Sequence, residues 1–341
     1  MELVVDVHLQ AGVPGEQLDP FARSRLRKIL ETRAFNFDGS RPEETTLGSD
    51  PVAALDEAGI DVICLMSGDY NRALPGAVES YEAPNDYLAA IVARHPDRIV
   101  GTCSVDPITD PAAAVREIER CATRHDFRAV RLYPTFQHWD PRDERLYPVY
   151  RKCIELDMVV QMHMGWTPVV TARMEYQRPW LLDEVGRTFP ELKLVINHLA
   201  YPYVDECTCL IARHENFYCD ISFWAPLHPS KILRMMVDFG ALCSFDKMLY
   251  GSSNPFLRTY PRVIRSLNGI ADRYGLPPIP EADMRKIMGG NACRLWRIDP
   301  ARMGRAPQNR GDASPRRAGL GSSSARRARR DAGSAGSHGA A

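Results

Sequence analysis

Residues 159–198 open on Val159-Val160-Gln161-Met162-His163, pass through the helical pattern Trp180–Phe189, and close on Leu192-Lys193-Leu194-Val195-Ile196-Asn197-His198. Both outer runs are short, β-branched and almost continuously apolar, as a strand covered on both faces must be. A strand, a helix and a second strand in that order form a parallel βαβ unit, because the helix carries the chain back to the same end. Six further runs repeat the pattern: Leu3–His8, Asp61–Met66, Ile99–Val105, Arg128–Tyr133, Phe217–Ile221 and Lys247–Gly251. Helical patterns fill the gaps at Pro51–Ala58, Asn85–Arg94, Pro111–Arg124, Glu144–Leu156, Val204–Arg213, Pro229–Phe239 and Tyr260–Tyr274, with a last one at Ala282–Arg294. Asp50 and Asp110 each precede a proline, the arrangement of a side-chain N-cap followed by Pro at the first helical position.

Alternating β and α units leave an open doubly wound sheet or a closed barrel. Eight units in about 250 residues fit closure. The expected fold is therefore α/β, a (β/α)8 TIM barrel over residues 1–298. The long first connection, Leu9–Asp50, is expected to shape a substrate site at the barrel mouth.

In such a barrel the C-terminal ends of the strands converge on the site. His8, His163 and His198 each fall at one of these ends. Three imidazoles meeting in one cavity suit a divalent transition metal, or proton transfer near neutral pH. The same ends carry Asp6 and Gln10 on the first strand, Asp220 and Ser222 on the seventh, and Ser253 on the eighth. Asp6 is expected to be a hydrogen-bond partner holding His8. Trp139, Trp166, Phe223 and Trp224 follow strands and read either as walls for a cyclic substrate or as packing under loops.

Composition excludes several classes. The net charge is zero over 341 residues, which gives the barrel no electrostatic case for nucleic acid. Nine arginines against three aspartates give residues 299–341 a net +6, so the body carries −6. That tail is rich in Arg, Ala, Gly and Ser, cannot bury enough apolar surface to offset its ordering entropy, and is expected to be disordered. No stretch is apolar enough to span a membrane, and the N-terminus shows no signal-peptide pattern. Nine scattered cysteines read as reduced thiols. A cytoplasmic protein is expected. Cys207-Thr208-Cys209 with His214 is not expected to bind zinc, because positions two apart on a helix face different ways. Phosphate loops, dinucleotide fingerprints and the GxSxG elbow are absent.

Taken together, several segments resemble the amidohydrolase-related family, in the branch of aminocarboxymuconate-semialdehyde decarboxylase, benzoate-type decarboxylases and small lactone or amide hydrolases. Asp6-Val7-His8-Leu9-Gln10 is similar to its opening Asp-x-His-x-His. Asn85-Asp86, His95-Pro96-Asp97-Arg98 and Gly101 match a second segment. Val130-Arg131-Leu132-Tyr133-Pro134 matches its fourth strand, Tyr250-Gly251-Ser252-Ser253-Asn254-Pro255 its eighth, and Asn291-Ala292 its last helix. The resemblance implies one divalent metal, usually zinc, with His8 and His163 as ligands and His198 as general acid/base. It also implies a small-molecule substrate and a homodimer. At two of the family's four ligand positions this chain has other residues: Gln10 in place of histidine and Ser253 in place of aspartate.

Those replacements leave three arrangements open. His198 joins His8 and His163 in a three-histidine metal site, with Gln10 or Asp220 nearby. Alternatively the barrel works without metal, His198 or His163 shuttling protons while Arg131 or another cation at the mouth binds a substrate carboxylate. In the third arrangement catalysis is lost and the barrel binds a small molecule or protein. The expected activity is hydrolysis or non-oxidative decarboxylation of a small cyclic or carboxylated metabolite, with His198, Arg131 and Asp220 as its catalytic residues.

Overall fold

Helix starts follow from local chemistry. Asp50 and Asp110 accept the N–H groups of Ala53 and Ala113, and a proline follows each at the first helical position. The computed structural model describes residues 2–11, 50–68, 85–167, 172–224, 227–253 and 256–304. Within them lie eight strands: β1 Val5–Gln10, β2 Val62–Met66, β3 Ile99–Ser104, β4 Ala129–Leu132, β5 Val159–Met162, β6 Leu194–Ile196, β7 Phe217–Asp220 and β8 Met248–Leu249. They pair in parallel and in chain order. The helices following them are α1 Pro51–Ala58, α2 Asn85–Arg94, α3 Pro111–His125, α4 Tyr147–Glu155, α5 Asp183–Thr188, α6 Val204–Arg213, α7 Pro229–Leu242 and α8 Tyr260–Ser266. Two short helices, α9 Glu281–Arg285 and α10 Asn291–Leu295, flank a π turn at Lys286–Gly290. The expected TIM barrel is the fold.

The first and last strands meet through backbone bonds from Val7 N–H to Tyr250 O (3.0 Å) and from Ser253 N–H to His8 O (2.7 Å). Alternation along each strand then sorts the side chains. Val5, Val7, Val62, Cys64, Val100, Ala129, Val159, Val195 and Leu249 form one buried cluster inside the barrel, together with Trp296, Ile298 and Met303. The alternate positions, such as Ile63, Val130, Val160 and Ile196, pack outward against the helices. Above the apolar lumen, the next inward positions are polar: Thr102, Arg131, Gln161, Asn197 and Asp220, all buried.

Some elements differ from their expected lengths. The sixth run stops being strand at Ile196, because the backbone turns left-handed at His198. The pattern at 282–294 is interrupted by the π turn, where Gly289 lies against β1. A Cβ on Gly289 would sit 1.8 Å from the Leu3 carbonyl oxygen. Gly289→Ala is therefore expected to cost about 1–3 kcal/mol or more, read as a lower denaturation midpoint. Packing also continues past Ile298. Met303 is buried in the lumen cluster and Gly304 N–H bonds to Asp97 O at 2.8 Å, so residues 299–304 belong to the barrel's base. Most of the long first connection (12–49) and the Arg-rich stretch 305–341 lie outside the described residues. Among the described residues no helix is long and apolar enough to cross a membrane.

Candidate active site

The alternation that makes Val195 inward makes Asn197 inward, and the chain then turns sharply. His198, Leu199 and Ala200 have φ of 60°, 44° and 48°, three successive left-handed non-glycine residues. Such a run costs on the order of 1–2 kcal/mol per residue and persists only when its surroundings hold it. Two bonds do so: His198 N–H donates to Asp220 Oδ1 (2.9 Å), and the Trp224 indole N–H donates to His198 O (3.1 Å). The turn brings the His198 ring to 4.8 Å from the His8 ring and 5.0 Å from the His163 ring, centroid to centroid. The three imidazoles expected to converge do converge. Gly251 makes room for His8, since a Cβ there would lie 2.7 Å from His8 Cβ.

Asp220 is the anionic centre. Its Oδ1 accepts the N–H groups of His198 and Ser222 and the Ser222 hydroxyl. Its Oδ2 accepts from Asn197 Nδ2 and from His8 Nδ1, the latter at 3.0 Å. Burial alone would raise this carboxyl, but His8 beside it and the donated hydrogen bonds outweigh burial and hold it well below the usual carboxylate range. The imidazoles shift the other way. Burial lowers His8, with Asp220 opposing and Arg131 assisting. Burial, then the neighbouring His198 and Arg131, hold His163 well below its ordinary value. Burial, then His8, pushes His198 down to about 3. At neutral pH the site therefore holds one ionised carboxylate and three uncharged imidazoles.

Arg131 is not at the mouth, where it was expected. It is 1% exposed, on the inward face of β4 level with Gln161, so it lies in the polar layer beneath the histidines. Its Nη1 donates to Asn197 Oδ1 and its Nη2 lies 3.4 Å from His163 Nδ1. Its Nε has no hydrogen-bond partner among the described residues. Arg131, Asn197 and Asp220 thus form a buried cation–amide–carboxylate bridge. Asn197 and Ser222 were not assigned a role from sequence. The signal was present in the period-2 alternation, two residues beyond Val195 and two beyond Asp220.

Asp6 holds His8 by its main chain, not its ring: Asp6 Oδ1 accepts the N–H groups of His8 (2.9 Å) and Ser252 (3.0 Å), tying β1 to the end of β8. Burial pushes its carboxyl up to about 7. Ser253 uses its N–H on His8 O, and Gln10 is half-buried at the end of β1. Trp139 and Trp224 are buried, with their indole N–H groups donating to Gln137 Oε1 and His198 O. Phe136 and Phe223 flank the imidazoles instead, with rings 4.9 Å from His163 and 6.0 Å from His198. Cys207 is buried while Cys209 is exposed, and His214 pairs with Asp183 at 2.9 Å.

A divalent ion fits this donor set. Ligand atoms of His8, His198 and Asp220 lie within 4.8 Å of one another, all buried. Neutral imidazoles and an ionised carboxylate are the protonation states a metal requires. Beside them, the buried His163 Nε2 has no hydrogen-bond partner among the described residues. His8 and Asp220 are the residues that would hold the ion, with His198 a third donor within reach when it is not carrying a proton.

Barrel and site together define a TIM-barrel enzyme of the histidine–carboxylate type. Comparison with known proteins makes the class specific: a family model described as amidohydrolase matches residues 72–298, and the chain belongs to that family. The match begins after β1, so His8 and Gln10 lie outside it. The 2-keto-4-carboxy-3-hexenedioate hydratase of Sphingobium sp. is 24% identical over 206 residues, 55% of this chain and 57% of that protein. The chain thus matches a little over half of that relative's length. The gamma-resorcylate decarboxylase of Polaromonas sp. is 24% identical over 346 aligned positions, 85% of this chain and 94% of that protein. A solved 5-carboxyvanillate decarboxylase from Novosphingobium aromaticivorans, with bound manganese and 3-methoxy-4-hydroxy-5-nitrobenzoic acid, has the same fold. It superposes with a TM-score of 0.59 at 17% identity, covering 87% of this chain and 97% of that one.

Proposed function

We propose that this protein is a non-oxidative decarboxylase of a small carboxylated ring or unsaturated acid. The observation that carries the reading is the His198–His163 pair, whose Nε2 and Nδ1 lie 3.3 Å apart, set against the buried Arg131. Fold alone does not name a reaction; the pair and the cation do the chemistry. Arg131, buried beneath the imidazoles, supplies fixed positive charge that acts on a substrate carboxylate above them through space and not by contact. His198, paired with His163, is read as the proton carrier, which leaves His8 and Asp220 as the donors for an ion. An anionic substrate beside these rings raises their affinity for protons, offsetting the burial that keeps them neutral in the free protein.

In the reaction the bond from carbon to carboxylate breaks and its electron pair stays on the carbon. That carbon takes a proton from the histidine pair, and CO2 leaves. A divalent ion held at His8 and Asp220 would supply Lewis acidity toward the substrate. Phe136 and Phe223 offer apolar faces beside the imidazoles for a ring or a conjugated chain. The names of the relatives support the substrate class, since both the decarboxylase and the hydratase act on carboxylated compounds. The hydratase motivates a second reading, in which the same proton pair adds water across a double bond.

The test is turnover by the purified protein with manganese or zinc, and after chelation, on dihydroxybenzoates, carboxyvanillate and unsaturated tricarboxylates. CO2 release that depends on added metal is the expected result. Water addition without CO2 favours the hydratase reading. Full turnover after chelation removes the metal from the mechanism. Absence of turnover on every substrate, with metal bound at one equivalent, ends the enzymatic proposal.

A further inference from the structure

Ser222 stands where the groups of the site meet. Its hydroxyl lies 2.8 Å from His198 Nδ1 and 3.0 Å from His8 Nδ1, and it donates to Asp220 Oδ1. The residue is fully buried. A hydroxyl carries one proton and two lone pairs. Ionised Asp220 can only accept, so the hydroxyl proton goes there. Both lone pairs are then left to accept, and N–H at both neighbouring ring nitrogens would fill them. Each nitrogen has a second neighbour with the same demand. The Ser222 carbonyl oxygen lies 3.3 Å from His198 Nδ1, and Asp220 Oδ2 lies 3.0 Å from His8 Nδ1. The Asn197 amide has two N–H groups, one directed to Asp220 Oδ2 and the second within 3.2 Å of His8 Nδ1, so the same count does not fix the His8 proton. Around Ser222, donors and acceptors match when His198 carries its proton at Nδ1; His163 Nδ1 then supplies the N–H between the two rings, and the longer 3.4 Å approach of Arg131 Nη2 to that nitrogen goes unpaired.

We propose that Ser222 is a positioning residue that holds His198 as its Nδ1–H tautomer and so turns the Nε2 lone pair toward His163. Its two grips are the side-chain hydroxyl and the main-chain carbonyl, and the hydroxyl ties the ring to Asp220. Any base, relay partner or ion served by His198 then meets the lone pair and not a proton. The consequence for turnover rests on the proposed proton-carrying role of the His198–His163 pair; the tautomer does not.

The experiment uses the full chain labelled with 15N at histidine, freed of metal by chelation, at neutral pH. Long-range 15N–1H spectra are expected to show His198 with a protonated Nδ1 and a bare Nε2. In Ser222→Ala that pattern is expected to give way to a mixture of tautomers. Its kcat should fall about 10–100-fold while KM moves by no more than about threefold. Ser222→Thr, which keeps the hydroxyl, should recover the single tautomer and much of kcat; circular dichroism checks the fold of each variant. A wild-type His198 protonated at Nε2 overturns the assignment. So does a folded Ser222→Ala protein with unchanged spectra and kcat. A chain without turnover on any substrate, yet with the tautomer set by Ser222, refutes the proposed reaction and supports this inference.

Discussion

His198→Asn is expected to fold normally and to lose about two to four orders of magnitude in kcat, the share that a positioned acid/base group contributes. The backbone argument makes asparagine the right replacement. Residue 198 has φ of 60°, and asparagine is among the few residues that enter the left-handed region at modest cost. The N–H to Asp220 and the carbonyl to the Trp224 indole both belong to the main chain, so the turn survives the substitution. Only the imidazole is lost, with its contacts to His163 and Ser222. Steady-state kinetics beside a thermal melt separates the two effects. A variant that keeps more than a tenth of the wild-type rate removes His198 from the chemistry.

Asp220→Asn is expected to damage both stability and site. The native carboxylate accepts from five donors and donates nothing. An amide turns one of its two oxygens into an NH2, so a donor faces donors whichever way it flips. The change also leaves the buried Arg131 without its anionic counterpart. Breaking one side of a buried charge arrangement costs about 3–5 kcal/mol, which at about 2–4 °C per kcal/mol lowers Tm by roughly 10 °C. His8 also loses the carboxylate that its Nδ1 faces at 3.0 Å, and because Asp220 is itself one of the residues that would hold the ion, metal affinity should fall by more than the roughly 10–100-fold that loss of an outer partner costs. Calorimetry and metal titration on the same sample check both. A variant within 1 kcal/mol of wild type would show that Asp220 is a bystander.

The convergence of His8, His163 and His198 was legible in the sequence because strand-end position is a topological property. Once eight parallel strands close in order, every C-terminal end shares one rim. Asp220 was legible for the same reason. The depth of Arg131 was not, since position 131 shows only that the residue is near a strand end. Whether the guanidinium rises to the mouth or lies in the layer below depends on its partner, Asn197, which comes from β6. Ser222 escaped because a serine after a strand is common; its meaning comes from Asp220 two residues earlier and from His8 and His198 on two other segments. The left-handed turn at 198–200 carries no glycine to announce it, and is held by Asp220 and Trp224 from beyond β6. The packing of Met303 was hidden behind a composition change that begins several residues before the chain leaves the barrel.

The seam between β1 and β8 sets a timetable for the newborn polypeptide. The Val7 N–H has no partner until Tyr250 has been synthesised, and the His8 ring waits 212 residues for Asp220. Trp296, which stops the lumen, emerges later still. Contacts of such long sequence separation form slowly, and half-made barrels expose strand edges. On the ribosome, therefore, the cavity does not close before Tyr250 and Trp296 have emerged, and a message cut short before them is expected to yield no weakly active fragment but a client for chaperones and proteases.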